Sequence, residues 1–463
     1  MNKYENPLVS KYSSKEIQYI FSNKTKFLLW RKLWIALAES QKECGLSIKH
    51  EQIDEMKKFA KDINYVNVKK YEKETHHDVM AHIFAYGDQC KKAKPIIHLG
   101  ATSCYITDNA EIIIQRLALL HIKKLILEVL ENLKKFAEKT KNLACISYTH
   151  FQAAQPTTVG KRAAIWAQDL LIDLEQLDNF ISKMKLLGCK GATGTSASFL
   201  SIFNGSHAAV QMMEEKIVIK MGFKESYSIT GQTYSRKLDH YLNSVLSGIA
   251  QSAYKFSNDI RLLSQTKEIE EFSEKNQIGS SAMPYKKNPI FSERIAGLSR
   301  YVIINSLNPA LTASSQWLER TLDDSANRRI AIPEAFLAID AILCLYKKIV
   351  DKLVVNPKII EERLCKTLPY IVTENILMYC VKKGKDRQLL HERIRIHAKA
   401  AMKNEAESKR NDLISRIALD EAFGISEIEI NELLSSEEFT GRAKEQTEEL
   451  ILIIQDVLNS NLN

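Results

Sequence analysis

The chain has 463 residues, more than one hydrophobic core usually supports, so we expect two or three domains. Hydrophobic residues make up 45% of it and charged residues 26%, which is typical of a globular protein and excludes a disordered one. Its 65 Lys and Arg and 56 Asp and Glu are interleaved without a basic stripe, which disfavours nucleic acid and favours an anionic small molecule as the partner.

Eight cysteines are scattered along the chain without a C-x-x-C pair, so a zinc site is not expected. No signal-like segment begins the chain, and no uncharged apolar run is long enough to span a bilayer. These features predict a cytoplasmic protein with reduced thiols, no membrane association, and no metal or other cofactor.

The low content of helix breakers, 16 Gly and 9 Pro, favours long helices. Ser13 and Glu16 have the spacing of a capping box and predict the start of the first helix. Helical periodicity predicts further long helices, which we place at 108–141, 161–185, 238–253, 296–315 and 330–355. No Asp, Glu, Lys or Arg lies between Asp239 and Lys255, so that helix is predicted to be buried nearly all round, as at the centre of large bundles and at subunit interfaces.

The first polar motif in chain order is His76-His77-Asp78, with His82 shortly after it. Burying two histidines and a carboxylate without partners would be costly. One interpretation is a polar helix start, since an acidic residue such as Asp78 is favoured near a helix N-terminus. A metal site is disfavoured, because His77 and His82 are five residues apart and do not share one helical face.

A second motif, Thr102-Ser103, lies in a turn of small residues before the helix predicted to begin at Asp108. Its hydroxyls can bind an anion or cap the helix, and the sequence leaves both interpretations open. Asp108 itself is predicted to cap that helix. The segment around Thr149 and His150 then breaks the helical pattern, where a single histidine is more often structural than catalytic.

The segment from Gln277 to Pro289 is rich in Gly, Pro and Ser, and it lies inside a predicted loop over residues 273–289. Adjacent Gly and Ser residues allow backbone N–H groups to converge on an anion, and Lys286 and Asn288 add a cation and an amide. The loop is either a solvated basic linker or a mobile lid suited to proton abstraction next to a carboxylate.

The segment from Trp317 to Arg329 is the last polar motif, with three arginines and two hydroxyls beside apolar helices. It is either a solvated turn or a phosphate clamp, since an arginine donates in a fork. Ser325 and Arg329 are four residues apart and share a face if the segment is helical. The alternative for Arg329 is a surface ion pair with Asp323 or Asp324.

The loop motif G-S-S-x-M-P-x-K-x-N-P, from Gly279 to Pro289, resembles the signature of the fumarase/aspartase superfamily, whose members release fumarate. Other segments resemble elements of that superfamily in order, namely H-H-D-V-M-A-H from His76, H-x-G-x-T-S from His98 and T-H-x-Q-x-A-Q-x-T from Thr149. The run E-R-T-L-D-D-S-A-N-R-R, with Ala282 and Tyr285, is similar to the adenylosuccinate lyase family within it. The resemblance extends over nearly the whole chain.

The resemblance implies an all-α fold with a long central helical bundle and three domains, at residues 1–102, 103–356 and 357–463. It also implies a homotetramer with a twenty-helix core, whose active sites combine residues from three subunits. The implied reaction is β-elimination of fumarate from adenylosuccinate, giving AMP, and from the succinylated aminoimidazole carboxamide ribotide of purine biosynthesis.

The resemblance also implies roles for individual residues. Ser280 is the implied general base, His150 the general acid, and Lys286 the cation that stabilises the serine anion, while His77 orients the substrate or the acid. The residues implied to hold the succinyl group are Thr102, Ser103, Thr149, Gln232, Lys286 and Asn288. Those implied to hold the nucleotide are Lys11, Tyr12, Arg294, Arg320, Ser325 and Arg329. His76 and Asp78 complete the substrate-binding set, with His76 and Lys11 standing where relatives usually carry Arg.

Two alternatives stay open at this point. The first is another fumarate-releasing lyase, such as argininosuccinate lyase, but those enzymes usually have Gln at the position of Tyr285 and lack the arginine clamp. The second is a non-enzymatic structural protein on the same scaffold. The presence of Ser280, His150 and Lys286 argues against that second alternative.

Overall fold

The computed structural model describes residues 3–274, 276–434 and 440–461, so Lys275 of the predicted loop lies outside the described residues. Within these ranges most residues are helical and only short strands occur, which confirms the predicted all-α class. The helices are α1 Lys15–Ile20, α2 Asn23–Glu43, α3 His50–Lys58, α4 Tyr65–Thr75, α5 Asp78–Gln89, α6 Ser103–Thr140, α7 Val159–Ser182, α8 Ala197–Ile202, α9 His207–Lys220, α10 Lys237–Thr266, α11 Ile290–Asn305, α12 Leu307–Ser314, α13 Asp323–Asp351, α14 Pro357–Ile371, α15 Thr373–Lys382, α16 Arg387–Ala406, α17 Leu413–Ala418, α18 Glu427–Leu434 and α19 Ala443–Ser460.

Short strands form two antiparallel ribbons. They are β1 Ala144–Thr149 with β2 Gln152–Thr158, and β3 Ile269–Glu270 with β4 Val354–Val355. No helix in the described ranges is both long enough and apolar enough to cross a membrane.

The chain packs into two compact units, each made of three separate stretches of sequence. The first unit contains Met1–Ile126, Ile172–Lys255 and Arg294–Leu345. The second contains Leu127–Leu171, Phe256–Glu293 and Tyr346–Asn463. Helices α6, α7, α10, α11 and α13 contribute residues to both units. The division into three consecutive domains, with boundaries after residues 102 and 356, stays a prediction.

The hydrophobic core of the first unit is organised around α2. Its buried side chains Trp30, Leu33, Trp34 and Leu37 recur at the i, i+3, i+4, i+7 spacing of one helical face. Side chains of α5, α6, α8 and α9 complete the cluster, so one apolar stripe on α2 joins several helices of this unit.

Several helices begin at other residues than predicted, and the one predicted at 296–315 is divided into α11 and α12. Helix α1 has Ser14 rather than Ser13 as its N-cap, with the Ser14 Oγ accepting from the Ile17 N–H at 3.3 Å. Helix α6 begins at Ser103 and α13 at Asp323, several residues before the predicted starts at Asp108 and Ile330. Asp108 therefore lies inside a helix instead of capping one, and the predicted clamp segment is largely helical.

The uncharged stretch of α10, residues 240–254, is only partly covered within one chain. Leu242, Leu246 and Ile249 are fully buried, as the apolar periodicity predicts. Tyr241 is 48% exposed, and Ser244 and Gln251 are also exposed, so the prediction of burial all round is wrong for the single chain. The absence of charge does not by itself bury a face, because small and amide side chains tolerate water.

Gly160, near the start of α7, marks a close approach of that helix to the end of α6. A Cβ at this position would lie 2.6 Å from the Lys141 Cα and 2.7 Å from the Ala137 carbonyl oxygen. Both contacts involve backbone atoms, which cannot rotate away as a side chain can. This packing therefore requires glycine.

We expect Gly160→Ala to lower the free energy of unfolding by about 1–3 kcal/mol, because the added methyl group forces α6 and α7 apart. The matched control is Gly297→Ala in α11, where no described heavy atom lies within 4 Å of the added Cβ. That change should be neutral or stabilise the helix by up to about 1 kcal/mol. Urea denaturation of both variants measures the difference, and equal midpoints would show that the α6–α7 contact has no influence on stability.

Candidate active site

A cavity of about 360 Å³ opens in the first unit. Its walls are the starts of α5, α6 and α13 and the segment ahead of α10. Many of the predicted site residues, His77 and several substrate-binding ones, line it, although they come from distant parts of the sequence. They are His77, Asp78, Thr102, Ser103, Gln232, Arg320, Ser325 and Arg329.

His77 is the N-cap of α5, and this position determines which ring nitrogen carries the proton. Its Nδ1 accepts the backbone N–H of Met80 at 3.3 Å, so the neutral ring holds its hydrogen on Nε2. The Nε2–H then points at the Ser103 Oγ, 3.4 Å away. The backbone thus orients the imidazole toward the hydroxyls at the start of α6.

His82 does not belong to this site. Its ring packs on Phe27 and Trp30, with centroids 4.0 and 5.1 Å away. Burial, together with the nearby cations Arg31 and Lys26, lowers the pKa of His82 to about 4. The described residues contain no cluster of three or more His, Cys, Asp or Glu side chains arranged to hold a metal ion.

A buried ion-pair network underlies the cavity. The Arg236 guanidinium donates to the two Asp108 oxygens at 2.9 and 3.3 Å, and its Nε donates to Asp324 at 2.6 Å. Arg320 donates to the same Asp324 oxygen at 3.0 Å. The side chains of Arg236, Asp108 and Asp324 are only 2%, 3% and 0% exposed, so these charges interact with one another and not with water.

Arg328 extends the network to Asp239 in the first turn of α10. Its Nε donates to Asp239 at 2.6 Å, and its Nη2 lies 2.8 Å from Glu111 and also donates to the Tyr234 hydroxyl. The Tyr234 hydroxyl donates in turn to Asp239 at 2.7 Å. The network therefore joins the starts of α6, α10 and α13, which are three of the cavity walls.

Electrostatics keeps this network charged in the folded protein. Burial is the largest single influence and lowers the pKa of Arg236, but the neighbouring acidic groups, Asp108 first among them, together outweigh it and the net pKa is raised. The same balance, with Asp239 and Glu111 as the main anions, raises the pKa of Arg328. Both guanidinium groups therefore remain positive and hold their carboxylates in fixed positions.

The sequence interpretation missed this network. Asp108 had the position of a helix cap, Arg236 had no motif of its own, and Arg328 was counted only among the arginines of the clamp segment. The signal that could have found the network is the charge at Asp239, which is followed by a stretch of α10 without Asp, Glu, Lys or Arg up to Lys255. A charge on a buried helix requires a partner of opposite sign.

Arg329 and Ser325 lie on α13 with their side chains at the cavity. Arg329 pairs with Asp78 at 3.6 Å, rather than with Asp323 or Asp324 as the alternative interpretation predicted. Its side chain is 59% exposed, so this contact is open to exchange with an anionic ligand. Arg320 is already held by Asp324, which orients its remaining N–H groups.

Lys11, Tyr12 and Arg294 form a separate cluster in the first unit, outside the cavity lining. The Tyr12 ring has the Lys11 Nζ 5.7 Å and the Arg294 Cζ 5.4 Å from its centroid. Asp340 fixes the end of this segment, because it accepts from the Ser14 N–H at 2.6 Å and from the Ser14 hydroxyl at 2.8 Å. His76 also lies outside the cavity, as the exposed residue that ends α4.

In the second unit, His150 occupies the tip of the β1–β2 hairpin. Thr149 pairs with Gln152, which leaves His150 and Phe151 as a two-residue turn with φ angles of 53° and 56°. Such turns favour Asn and Gly, so a histidine and a phenylalanine here are held in a strained conformation. The turn projects His150 from the end of the ribbon, where it is exposed.

Ser280 lies in a loop of the second unit whose backbone folds around its own side chain. The Ser280 Oγ accepts the N–H groups of Ala282 and Met283 at 3.3 and 3.0 Å. The loop narrows where the Asn288 Nδ2 donates to the Gly279 carbonyl at 2.7 Å. A Cβ on Gly279 would lie 2.0 Å from the Lys286 carbonyl oxygen, so glycine is required where the two sides of the loop cross.

Comparison with known proteins identifies the family of the chain. Residues 9–304 match the family model described as Lyase, and residues 369–450 match the one described as Adenylosuccinate lyase C-terminus. The adenylosuccinate lyase of Saccharomyces cerevisiae is 46% identical, over 97% of this chain and 94% of that protein. The adenylosuccinate lyase of Schistosoma mansoni is 44% identical, over 96% and 94%. A fumarate lyase structure from Mesorhizobium has a TM-score of 0.83 at 18% identity, covering 97% of this chain and 99% of that one, and shows the same fold.

We expect Arg236→Met to lower the free energy of unfolding by about 3–5 kcal/mol, because Asp108 and Asp324 would stay buried without their shared cation. The control is Lys92→Met, which removes an ion pair with Glu51 on the exposed surface. Thermal unfolding of the two variants checks the difference. An Arg236→Met protein as stable as the Lys92→Met protein would show that the network does not hold the cavity walls.

Proposed function

Because the chain belongs to the adenylosuccinate lyase family of the fumarase/aspartase superfamily and is a carbon–nitrogen lyase, we propose that it cleaves adenylosuccinate into AMP and fumarate. The succinylated aminoimidazole carboxamide ribotide of purine biosynthesis, which presents the same succinyl and phosphate groups, is the second proposed substrate. The observation that carries the proposal is the cavity itself, which has hydroxyls at one wall and arginines at another.

The arrangement of the cavity suits a substrate with negative charge at both ends. Thr102 and Ser103 stand at the N-terminus of α6, where hydroxyls, free backbone N–H groups and the helix dipole favour a succinyl carboxylate. Arg320, Ser325 and Arg329 stand together at the start of α13, where charge-assisted hydrogen bonds favour a phosphate. Gln232 and Asp78 line the wall between these elements.

We assign the general base to Ser280. A serine hydroxyl is a weak base unless its anion is stabilised, and hydrogen bonds donated to the charged form favour that form. Two backbone N–H groups already donate to the Ser280 oxygen, which is the arrangement an alkoxide requires. Lys286 would add a positive charge. The Asn288 side chain donates to the Gly279 carbonyl and so keeps the two sides of the loop together.

The reaction begins with removal of a proton next to a carboxylate, which places negative charge on that carboxylate. Thr102, Ser103 and the α6 N-terminus would stabilise this charge, as preorganised donors do in other eliminations. The leaving nitrogen then needs a proton, and His150 is the proposed acid, because imidazole titrates near neutral pH. Thr149 precedes it in the hairpin and would bind the succinyl group.

His77 is proposed to orient the substrate or the acid. Its backbone hydrogen bond leaves Nε2–H free to donate to Ser103 or to a bound carboxylate. Lys11, Tyr12 and Arg294 would bind the nucleotide through their two cations and the aromatic ring between them. His76 would contribute from the exposed end of α4.

We further propose a cytoplasmic homotetramer whose sites combine residues of different subunits. The cavity belongs to the first unit, whereas His150 and Ser280 belong to the second, so a complete site requires both sets. Apolar side chains at the α11–α12 junction support association, since Ile304, Leu307 and Leu311 are 67%, 60% and 70% exposed. Exposed apolar side chains at this density are typical of surfaces covered by another chain.

Mixing the purified protein with adenylosuccinate should produce the absorbance change of a succinylpurine losing fumarate, and argininosuccinate should not be cleaved. Ser280→Ala should lower kcat by roughly 100- to 10,000-fold, the range expected for a lost general base, while AMP binds with unchanged Kd. Ser273→Ala, an exposed hydroxyl at the edge of the same loop, is the control and should retain activity. Near-normal turnover of Ser280→Ala would remove Ser280 as the base.

Inactive His150→Ala and Ser280→Ala proteins should regain activity when they are unfolded together and reassembled. The reason is that a mixed tetramer with shared sites contains some sites free of both substitutions. Each variant reassembled alone is the control and should stay inactive. A monomer by sedimentation, or a mixture without activity, would contradict shared sites.

A further inference from the structure

Four consecutive residues of the second unit, Glu268 to Glu271, include three glutamates that bind three different elements. The centre of the segment is strand β3, in which Ile269 pairs with Val355 and Glu270 with Val354. The backbone of Asn356 donates to the Glu268 carbonyl at 3.0 Å, and its side chain donates to the Glu270 carboxylate at 3.0 Å. The segment is therefore held firmly against β4 and the start of α14.

Glu268 reaches the hairpin that carries His150. Its carboxylate is 1% exposed and accepts the Tyr148 phenol O–H at 2.6 Å and the Arg363 Nε–H at 2.9 Å. Arg363 also donates to the Tyr148 oxygen at 3.2 Å, so the three side chains close a triangle. Burial and the bond to Glu268 raise the pKa of Tyr148, so the phenol keeps the proton that it donates.

Tyr148 connects Glu268 to the strained turn. It lies two residues before His150, and its ring packs on Phe151 with centroids 5.6 Å apart. His150 and Phe151 both have positive φ, a conformation that persists only when its surroundings impose it. Glu268 therefore fixes the hairpin through Tyr148, one strand pair away from the turn.

Glu271 holds the loop that carries Ser280. Its carboxylate accepts the backbone N–H groups of Phe291 and Ser292 and the Ser292 hydroxyl, all at 3.0 Å. Glu271 precedes the loop, and Phe291 and Ser292 follow it at the N-terminus of α11, so these bonds join the two ends of the loop. The Phe272 and Phe291 rings stack beside them at 5.1 Å and 16°.

The geometry points to one positioning element with two functions: Glu268 fixes the hairpin that carries His150, and Glu271 fixes the ends of the loop that carries Ser280. Glu268 and Glu271 flank the two strand residues, and their partners lie on different elements, Tyr148 on β1 and the Phe291 and Ser292 amides on α11. This explains how four residues can hold two different structures. The roles of Glu268 and Glu271 in catalysis rest on the proposed function, whereas their hold on the two segments does not.

Carboxylates at these two positions are costly to bury, and an apolar residue could pair with β4 equally well. Tyr148, Arg363 and the α11 amides are partners that an apolar residue could not bind. Positioning is valuable here, because a displacement of about 1 Å in a reacting group can lower a rate by roughly 100-fold. Glu268 and Glu271 act through the segments that they bind, so they are positioning residues.

The test compares three substitutions in the full-length protein, Glu268→Gln, Glu271→Gln and Glu270→Gln. All three remove one negative charge from the same segment, and Glu270→Gln is the control because Glu270 binds only Asn356 among the side chains described above. Hydrogen–deuterium exchange by mass spectrometry is followed in peptides that cover 144–158 and 290–293. The kcat and KM of each variant are measured in parallel.

Glu268→Gln should accelerate amide exchange in the hairpin about tenfold and leave the α11 start unchanged. Glu271→Gln should do the reverse, because the Phe291 and Ser292 amides lose their acceptor. In both variants kcat should fall at least about tenfold with KM within about twofold, whereas Glu270→Gln should change neither exchange nor kcat.

Exchange that rises equally in both segments, or that matches the Glu270→Gln control, would overturn the proposal. Each glutamine variant could show faster exchange only in its own segment while kcat stays unchanged. In that case Glu268 and Glu271 do fix the two segments, and the proposed catalytic roles of His150 and Ser280 are wrong instead. If a glutamine variant does not fold, a second variant that removes a single hydroxyl replaces it. Tyr148→Phe then tests the contact with Glu268, and Ser292→Ala tests the contact with Glu271. Either of them with wild-type exchange in its own segment would also contradict the proposal.

Discussion

The bond on which the candidate site depends most is the one between the Arg236 guanidinium and its two buried carboxylates, Asp108 and Asp324. Each of these three residues lies at or near the start of a different helix, and each start forms a wall of the cavity. Water is excluded from the pairs, so no solvent can substitute for a lost partner. The hydroxyls on α6 and the arginines on α13 are therefore held at a set separation before any ligand arrives.

In the second unit the candidate catalytic residues lie on a turn and in a loop, and not at helix ends as in the first unit. His150 sits in a strained two-residue turn, and Ser280 sits in a loop that narrows at Gly279. Both segments need neighbouring elements to keep their conformation. The buried carboxylates of Glu268 and Glu271, on either side of strand β3, supply that support.

Helix content was predictable because apolar periodicity is a local property, and α2 and α10 follow it closely. Helix starts were predicted poorly where a polar residue had a second function. Asp108 precedes an apolar run, as a cap would, but its partner Arg236 lies 128 residues away. A local pattern cannot distinguish an acid that caps a helix from one that pairs with a distant arginine, since both place a carboxylate before apolar residues.

The sequence by itself determined the helical class, the family and the residue types of the candidate site. Each of these depends on local features, namely apolar periodicity or short contiguous motifs such as Gly279 to Pro289. Only the tertiary structure decided which of those residues meet. It collected His77, Ser103, Gln232 and Arg329 around one cavity, and it placed Lys11 and Tyr12 outside it. It also revealed Arg236, Glu268 and Glu271, which no motif marks. The physical reason is that a buried charge is stabilised by partners brought together through folding, and the distance between them in sequence carries no information about that contact.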